Sequence, residues 1–376
     1  MSELKVEVTK ILKVETHPNA DRLDLVTVFG WQCVTGKDAY KEGDKVVYIP
    51  IDSILPSKVE TALFPPDSKI KLDHSRVRTT RIRKAISQGM VASLSTLGLD
   101  ENLTEGTDVA KDLGITKYEP PANPSQVTRG QQKKKRKNNP NFHKYTDIQN
   151  IKFYSDAFAG KEVVITEKIH GTNWRAGKLP FHASTWWERV KGWFRLNPKE
   201  ELVFGSHNVE LTKKIIKRVH PSVKVKPTED TSSKDIYSKM VEQYDIANKI
   251  ELGIVLYGEA YGDGVQKNYK YGCGNNEHKL VIFDVMYNGK YLDTDAAMAY
   301  CEARGLSFVP VLYRGVFTMD VANKLVGGNS VLCPAQKVRE GIVIKLAKEE
   351  QMYLGRGVLK YINPEYLLDT SNTDNH

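Results

Sequence analysis

The chain has 376 residues, 40% of them hydrophobic, which is enough for two ordinary domains with packed cores. No run approaches the roughly 20 apolar residues of a membrane helix, and residues 1–10 lack a basic-then-apolar leader, so a cytoplasmic or otherwise intracellular protein with no membrane partner is expected. A net charge of +9 suits a polyanionic partner, and the scattered Cys33, Cys273, Cys301 and Cys333 fit neither a zinc site nor a disulfide framework.

Residues 1–115 carry short predicted strands at 6–8, 24–28 and 45–50, the last after a Gly-Asp turn signal. Strands this short and closely spaced predict a small barrel or sandwich. The segment Thr16-His17-Pro18-Asn19-Ala20-Asp21-Arg22-Leu23 resembles the strand-connecting motif of tRNA-binding OB barrels, which implies an all-β OB barrel that engages RNA. His17 within it reads as structural. Residues 116–140 read as a linker, with Pro120, Pro121 and Pro124 followed by the basic run 133–137. Such a solvated chain can still touch phosphates.

From residue 141 to 376 the rhythm changes. Strands are predicted at 162–166, 253–257, 279–285, 341–346 and 357–362, and helices near 233–250, 294–304 and 319–325. Asp293 or Thr294 can cap the second helix and Gly305 can end it. Strands mixed with helices predict an α+β domain with a sheet-lined cleft. Residues 175–201 hold Trp186, Trp187, Trp193 and Phe194 among Arg189, Lys191 and Arg195. Such a stretch can stack bases and hold phosphates, but the expectation here is a short amphipathic helix with its aromatic face docked on the domain.

The chemistry centres on Lys168-Ile169-His170-Gly171-Thr172-Asn173, directly after the strand ending in Thr166. A lysine at a strand end, followed by a glycine that permits a tight turn, can present its amine to a nucleotide. Attack on phosphorus needs that amine neutral, a state that nearby cations and partial burial favour. Alone, each further charged or aromatic residue has a plain reading: Glu259 and Glu340 as solvated carboxylates, Lys345 and Lys360 as surface charges, Phe283 as core.

Taken together and in order, these residues resemble the motifs of RNA ligases within the covalent nucleotidyltransferase superfamily. DNA ligases and capping enzymes usually carry Asp and Arg where this chain has His170 and Asn173, and Lys144-Tyr145-Thr146-Asp147-Ile148 is similar to the segment that precedes the motif in RNA ligases with an N-terminal OB barrel. Tyr257-Gly258-Glu259 then looks like the third motif, Phe283-Asp284-Val285 like the adenine-stacking element, Glu340-Gly341-Ile342-Val343-Ile344-Lys345 like the fourth, and Lys360 like the phosphate-gripping fifth. Two places depart from the pattern: His207 follows Ser206 where arginine is common, and Ile362 stands where a second lysine often does.

The resemblance implies an α+β nucleotidyltransferase, with ATP-grasp-like sheets around a nucleotide cleft, preceded by the OB barrel. It implies an ATP-dependent RNA ligase, acting as a monomer on nicked or broken RNA ends in RNA repair. Lys168 would carry AMP. Glu167, Lys168, Ile169, Asn173, Ser206, Glu259, Phe283, Lys345 and Lys360 would bind ATP, and Glu340 with Glu259 would hold Mg²⁺ or Mn²⁺. The alternatives are an RNA- or tRNA-binding protein with an inactive ligase-like domain, and a DNA ligase.

Overall fold

The computed structural model describes residues 4–65, 68, 71–118, 138–183, 186–193, 199–207, 210–215 and 235–368. The basic run 133–137, Phe194 and Arg195 lie outside the described residues.

In the N-terminal region, strands Glu7–Lys10, Lys45–Ile49 and Met90–Ala92 form one sheet, Lys13–Thr16, Leu23–Val28 and Trp31–Gly36 a second, and Thr79–Ile82 pairs with Ala85–Gln88. Alternate residues of Leu23–Val28 turn inward, as a pleated strand over one core requires. The expected barrel is not closed by a continuous ladder among the described residues. Between strands Trp31–Gly36 and Ala85–Gln88, side chains stand in for backbone pairing. Ser87 Oγ accepts the Val34 N–H at 3.0 Å, and Gln32 Nε2 donates to the Ile86 carbonyl at 2.7 Å. His17 is buried, with its ring 3.1 Å from the Ile82 carbonyl and accepting the Asn19 N–H.

Two larger sheets follow. The first is five-stranded, in the order Gln149–Asn150, Val358–Ile362, Gly341–Leu346, Glu162–Lys168, Val311–Val316; the second is six-stranded, in the order Glu210–Ile215, Glu200–Gly205, Thr172–Pro180, Ile254–Gly262, His278–Tyr287, Lys290–Tyr291. Helices Ile236–Gln243 and Thr294–Glu302 contribute Met240, Val241, Ala297 and Cys301 to a core with Trp174, Leu256 and Ile282 of the second sheet. Helix Met319–Val326 buries Ala322 and Val326 against Val163, Ile165 and Ile344 of the first.

Three local expectations change. The helix predicted over 233–250 is broken at Asp245, whose φ of 50° is left-handed, giving Ile236–Gln243 and Ile246–Lys249. Asp293 precedes its helix without capping it, because its carboxylate accepts the Glu349 N–H at 2.6 Å instead. The helix Trp186–Trp193 forms but does not dock its aromatics, since Trp186, Trp187 and Trp193 are 65%, 68% and 89% exposed. It lies beyond the Pro180–Glu200 pair, where the strands that could have covered it have ended.

The N-terminal region is pinned to the first large sheet through the short turn Ile151–Phe153. The Phe153 ring packs 5.4 Å from Phe29, 5.6 Å from Trp31 and 6.2 Å from Tyr48. Beside it, Lys152 Nζ donates to Gln88 Oε1 at 2.7 Å and sits 4.5 Å from the Trp31 ring centre. Burial pulls its pKa down to about 8. No helix among the described residues is long and apolar enough to cross a membrane.

Candidate functional site

Lys168 is the last residue of its strand and pairs with Gly341, the first residue of the neighbouring strand. Four residues later, at Thr172, the chain has entered the second sheet, so Ile169-His170-Gly171 is the bridge between the sheets. The bridge is tight. A Cβ on Gly171 would stand 2.4 Å from the Ala260 carbonyl, and one on Gly341 would stand 2.2 Å from that of Tyr361. At Gly171 the tight passage requires close approach to the neighbouring strand. Its N–H donates to Glu259 Oε1 at 3.1 Å.

Because Glu340 immediately precedes Gly341, the strand pairing delivers its carboxylate to Lys168. Lys168 Nζ donates to Glu340 Oε1 at 2.5 Å, with the lysine side chain 29% exposed and the glutamate buried. Glu340 Oε2 is buried with no hydrogen-bond partner, and His170 Nδ1 stands 3.9 Å from it. Glu167 Oε1 and Asn173 Oδ1 are likewise buried and unpartnered. Buried acceptors without donors are costly, and the one on Glu340, whose other oxygen holds Lys168, leaves an unfilled demand for a cation or donor beside that lysine. Glu167 Oε2, by contrast, is used: it accepts the N–H groups of Val331 and Leu332 at 2.8 and 3.1 Å.

His170 is buried among tyrosines. Its N–H donates to Tyr271 Oη at 2.8 Å, its ring nitrogens lie 3.2 and 3.3 Å from Tyr366 Oη, and the Tyr269 ring meets it edge-on at 4.9 Å. Ile169 joins an apolar cluster with Tyr261, Val281 and Ile362. Ile362, where a second lysine was expected, is thus a packing residue of the bridge.

Lys345 is placed differently from Lys168. Its ammonium donates to Asp284 Oδ2 at 2.9 Å and to the Phe283 carbonyl, and both ion-pair partners are buried. Asp284 Oδ2 also accepts from Arg356 at 2.7 Å and from Tyr145 Oη at 2.8 Å. The two cations hold the buried Asp284 carboxyl below its usual range against the opposing effect of burial. Phe283 is half-buried, its ring 4.9 Å from that of Tyr145. Lys345 therefore fastens the Phe283 strand to the first sheet.

Lys360, on the strand paired with Gly341–Leu346, lines a cavity of about 420 Å³ between the N-terminal region and the first sheet, with Trp31, Asp52, Lys117 and Tyr118. Desolvation, then repulsion from Lys168 and Lys117, lowers its pKa to about 8. Ser206 follows the strand Glu200–Gly205 of the second sheet, where its carbonyl accepts from Arg175 Nε at 2.8 Å. The same buried guanidinium donates to the carbonyls of Phe142 and His143 at 2.8 and 2.7 Å. His207 faces Asp147 at 3.8 Å, and burial lowers its pKa.

The structure thus gathers Glu167, Lys168, Ile169, Asn173, Glu259 and Glu340 at one bridge, sets Lys360 beside it, and leaves Lys345 and Phe283 in the Asp284 cluster. Sequence reasoning missed Arg356, Arg175 and the trio Tyr269, Tyr271 and Tyr366. Arg356 lies 72 residues from Asp284 and Tyr366 lies 196 from His170, so no local spacing announces either contact. The density of tyrosine at 269–271 was the available signal.

A sequence profile of the RNA ligase family matches residues 161–362, and a profile described as an OB-fold domain matches residues 5–94. Curated protein sequences give no match. Naegleria gruberi RNA ligase with PPi is a similar solved structure, with 20% identity, a TM-score of 0.70, and 97% of this chain and 98% of that chain covered. Two variants of the same ligase have the same coverage, at 19% identity and a TM-score of 0.71: a lysine-to-alanine variant with ATP and Mn, and a glutamate-to-alanine variant with AMP and Mn. At such identity the likeness shows a shared fold.

Proposed function

We propose, given that this chain belongs to the RNA ligase family, that it joins an RNA 3′-hydroxyl to a 5′-phosphate with ATP through lysyl-AMP and RNA-adenylate intermediates. The observation that carries this reading is the strand-end amine of Lys168 held 2.5 Å from Glu340 at the bridge between two sheets. In the first step the Lys168 amine attacks the α-phosphorus of ATP, forming an N–P bond as the bond to pyrophosphate breaks. AMP then passes from nitrogen to the RNA 5′-phosphate, restoring the lysine. Finally the RNA 3′-hydroxyl attacks that phosphate and AMP leaves. Each step is displacement at phosphorus, so positioning and charge neutralisation do most of the work.

The residues are cast as follows. Glu340, with Glu259 reached through water, fits a divalent cation, because one Glu340 oxygen is a buried acceptor without a donor. Mg²⁺ or Mn²⁺ there would neutralise phosphate oxygens and draw Glu340 from Lys168, favouring the neutral amine. Lys360 grips phosphate from the cavity side, while Asn173 and the Glu167–Ile169 backbone face the nucleotide. Ser206 lines the far wall, and Phe283 stacks on adenine with Lys345 fixing its strand. The protein works as a monomer on nicked or broken RNA in repair, with residues 1–115 as the RNA-engaging domain, 116–140 as linker and 141–376 as the adenylyltransferase. Ligation of matched nicks with RNA or DNA 3′-ends tests this. Sealing is expected with RNA ends, whereas equal sealing of all-DNA nicks would assign a DNA ligase, and no AMP transfer at all would assign a binding protein.

A further inference from the structure

An open groove of about 750 Å³ runs between residues 263–272, which follow the Glu259 strand, and the chain around Cys333, Ala335 and Gln336. Both walls are hydrogen-bonded to the segment that carries Lys168. From one wall, Gln266 Nε2 donates to the Gly171 carbonyl at 2.8 Å and Tyr271 Oη accepts the His170 N–H at 2.8 Å. The other wall hangs from Glu167, whose carboxylate takes the Val331 and Leu332 N–H groups. A strand lying in the groove therefore touches walls tethered on both sides of the nucleophile.

The lining suits a ribose-phosphate chain. Lys267, Asn268 and Lys270 are exposed along the rim, and Lys270 is already held toward the groove's Asp263 at 2.6 Å. Lysines and amides of this kind satisfy phosphates and hydroxyls without reading bases. An open trough suits a polymer that enters and leaves at its ends, where an enclosed pocket would suit a mononucleotide.

We propose that this groove holds the phosphodiester backbone of the RNA strand next to the break, and so brings the RNA end to Lys168. The inference rests on the ligase reading above. Either the 5′-phosphate strand or the 3′-hydroxyl strand presents the same chemistry, and competition separates them.

The test uses the full chain with K267A/K270A. Self-labelling with ATP and a divalent cation should match wild type, because neither lysine belongs to the lysyl-AMP machinery. Sealing of a 5′-phosphorylated nicked RNA should show an RNA KM raised by roughly tenfold, and each lost phosphate contact should flatten the log–log salt dependence by about 0.9. Templates bearing only the 5′-phosphate strand or only the 3′-hydroxyl strand serve as competitors; the one whose inhibition weakens in the variant identifies the groove's occupant. Wild-type RNA KM and salt slope in the variant would overturn the groove. Absence of self-labelling and sealing in the wild-type protein would instead overturn the ligase reading.

Discussion

Two lysine–carboxylate clusters in this molecule look alike in composition and differ in how completely they are satisfied. Around Asp284, a single oxygen accepts from Lys345, Arg356 and Tyr145, while Arg356 is held further by Glu349 at 2.6 and 2.7 Å. Around Glu340, one oxygen holds Lys168 and the other has no hydrogen-bond partner, and the strands on either side of the bridge carry further orphaned acceptors on Glu167 and Asn173. A closed network specifies a packing and offers nothing further to bind. An open one keeps demand in reserve for a ligand. The two carboxylates are alike in burial; what remains unmet distinguishes them.

Substitutions should therefore split into those that unfold the protein and those that silence it. The largest expected effect is at the closed cluster. Asp284→Ala strands two buried cations and should cost about 3–5 kcal/mol of stability, read as a lowered denaturant midpoint. An unchanged midpoint would erase the contrast. Glu340→Ala should behave oppositely. It should slow lysine adenylylation by on the order of a hundredfold, about 2.7 kcal/mol of barrier, with a near-normal melting curve and little rescue by Mn²⁺.

Lys360 sharpens the comparison through pH. Its pKa near 8 means that it loses charge as pH rises through that value. ATP should then bind more weakly above about pH 8, and Lys360→Met should remove that part of the profile. The stability sign is opposite. The ordinary lysine value is 10.5, so between about 8 and 10.5 the unfolded chain binds the extra proton, and stability rises with pH across that window. Lys152, also near 8, adds to the rise, so the variant should show a smaller gain rather than none. The smallest effect belongs to Arg81→Ala. Its guanidinium meets both oxygens of Glu365 at 2.8 Å, yet the side chains are 44% and 56% exposed, and the cost should stay within about 0.2–1 kcal/mol in chemical denaturation.

Much of the site was legible because its determinants are local. The strand predicted at 341–346 is the observed Gly341–Leu346, and the strand entering Lys168 starts at the predicted Glu162. Once those two strands pair, Glu340 reaches Lys168 with no further information. The fate of Lys345 was not legible, because its partner Asp284 lies 61 residues away and a buried lysine is written with the same letter as a surface one. The Trp186–Trp193 helix shows the converse. Its periodicity foretold the helix but not whether anything would cover it. Nor could local pattern reveal Phe153 entering the N-terminal aromatic cluster, since that contact joins residues more than a hundred positions apart.

The central claim is that the open cluster exists to load AMP on Lys168. Incubating the full chain with ATP and Mg²⁺ or Mn²⁺, then mapping the modified peptide by mass spectrometry, tests it directly. The account predicts one AMP, attached to Lys168 and absent from Lys168→Ala and Lys168→Arg, which cannot present a neutral amine. AMP on any other residue, or labelling that survives loss of Lys168, would contradict it.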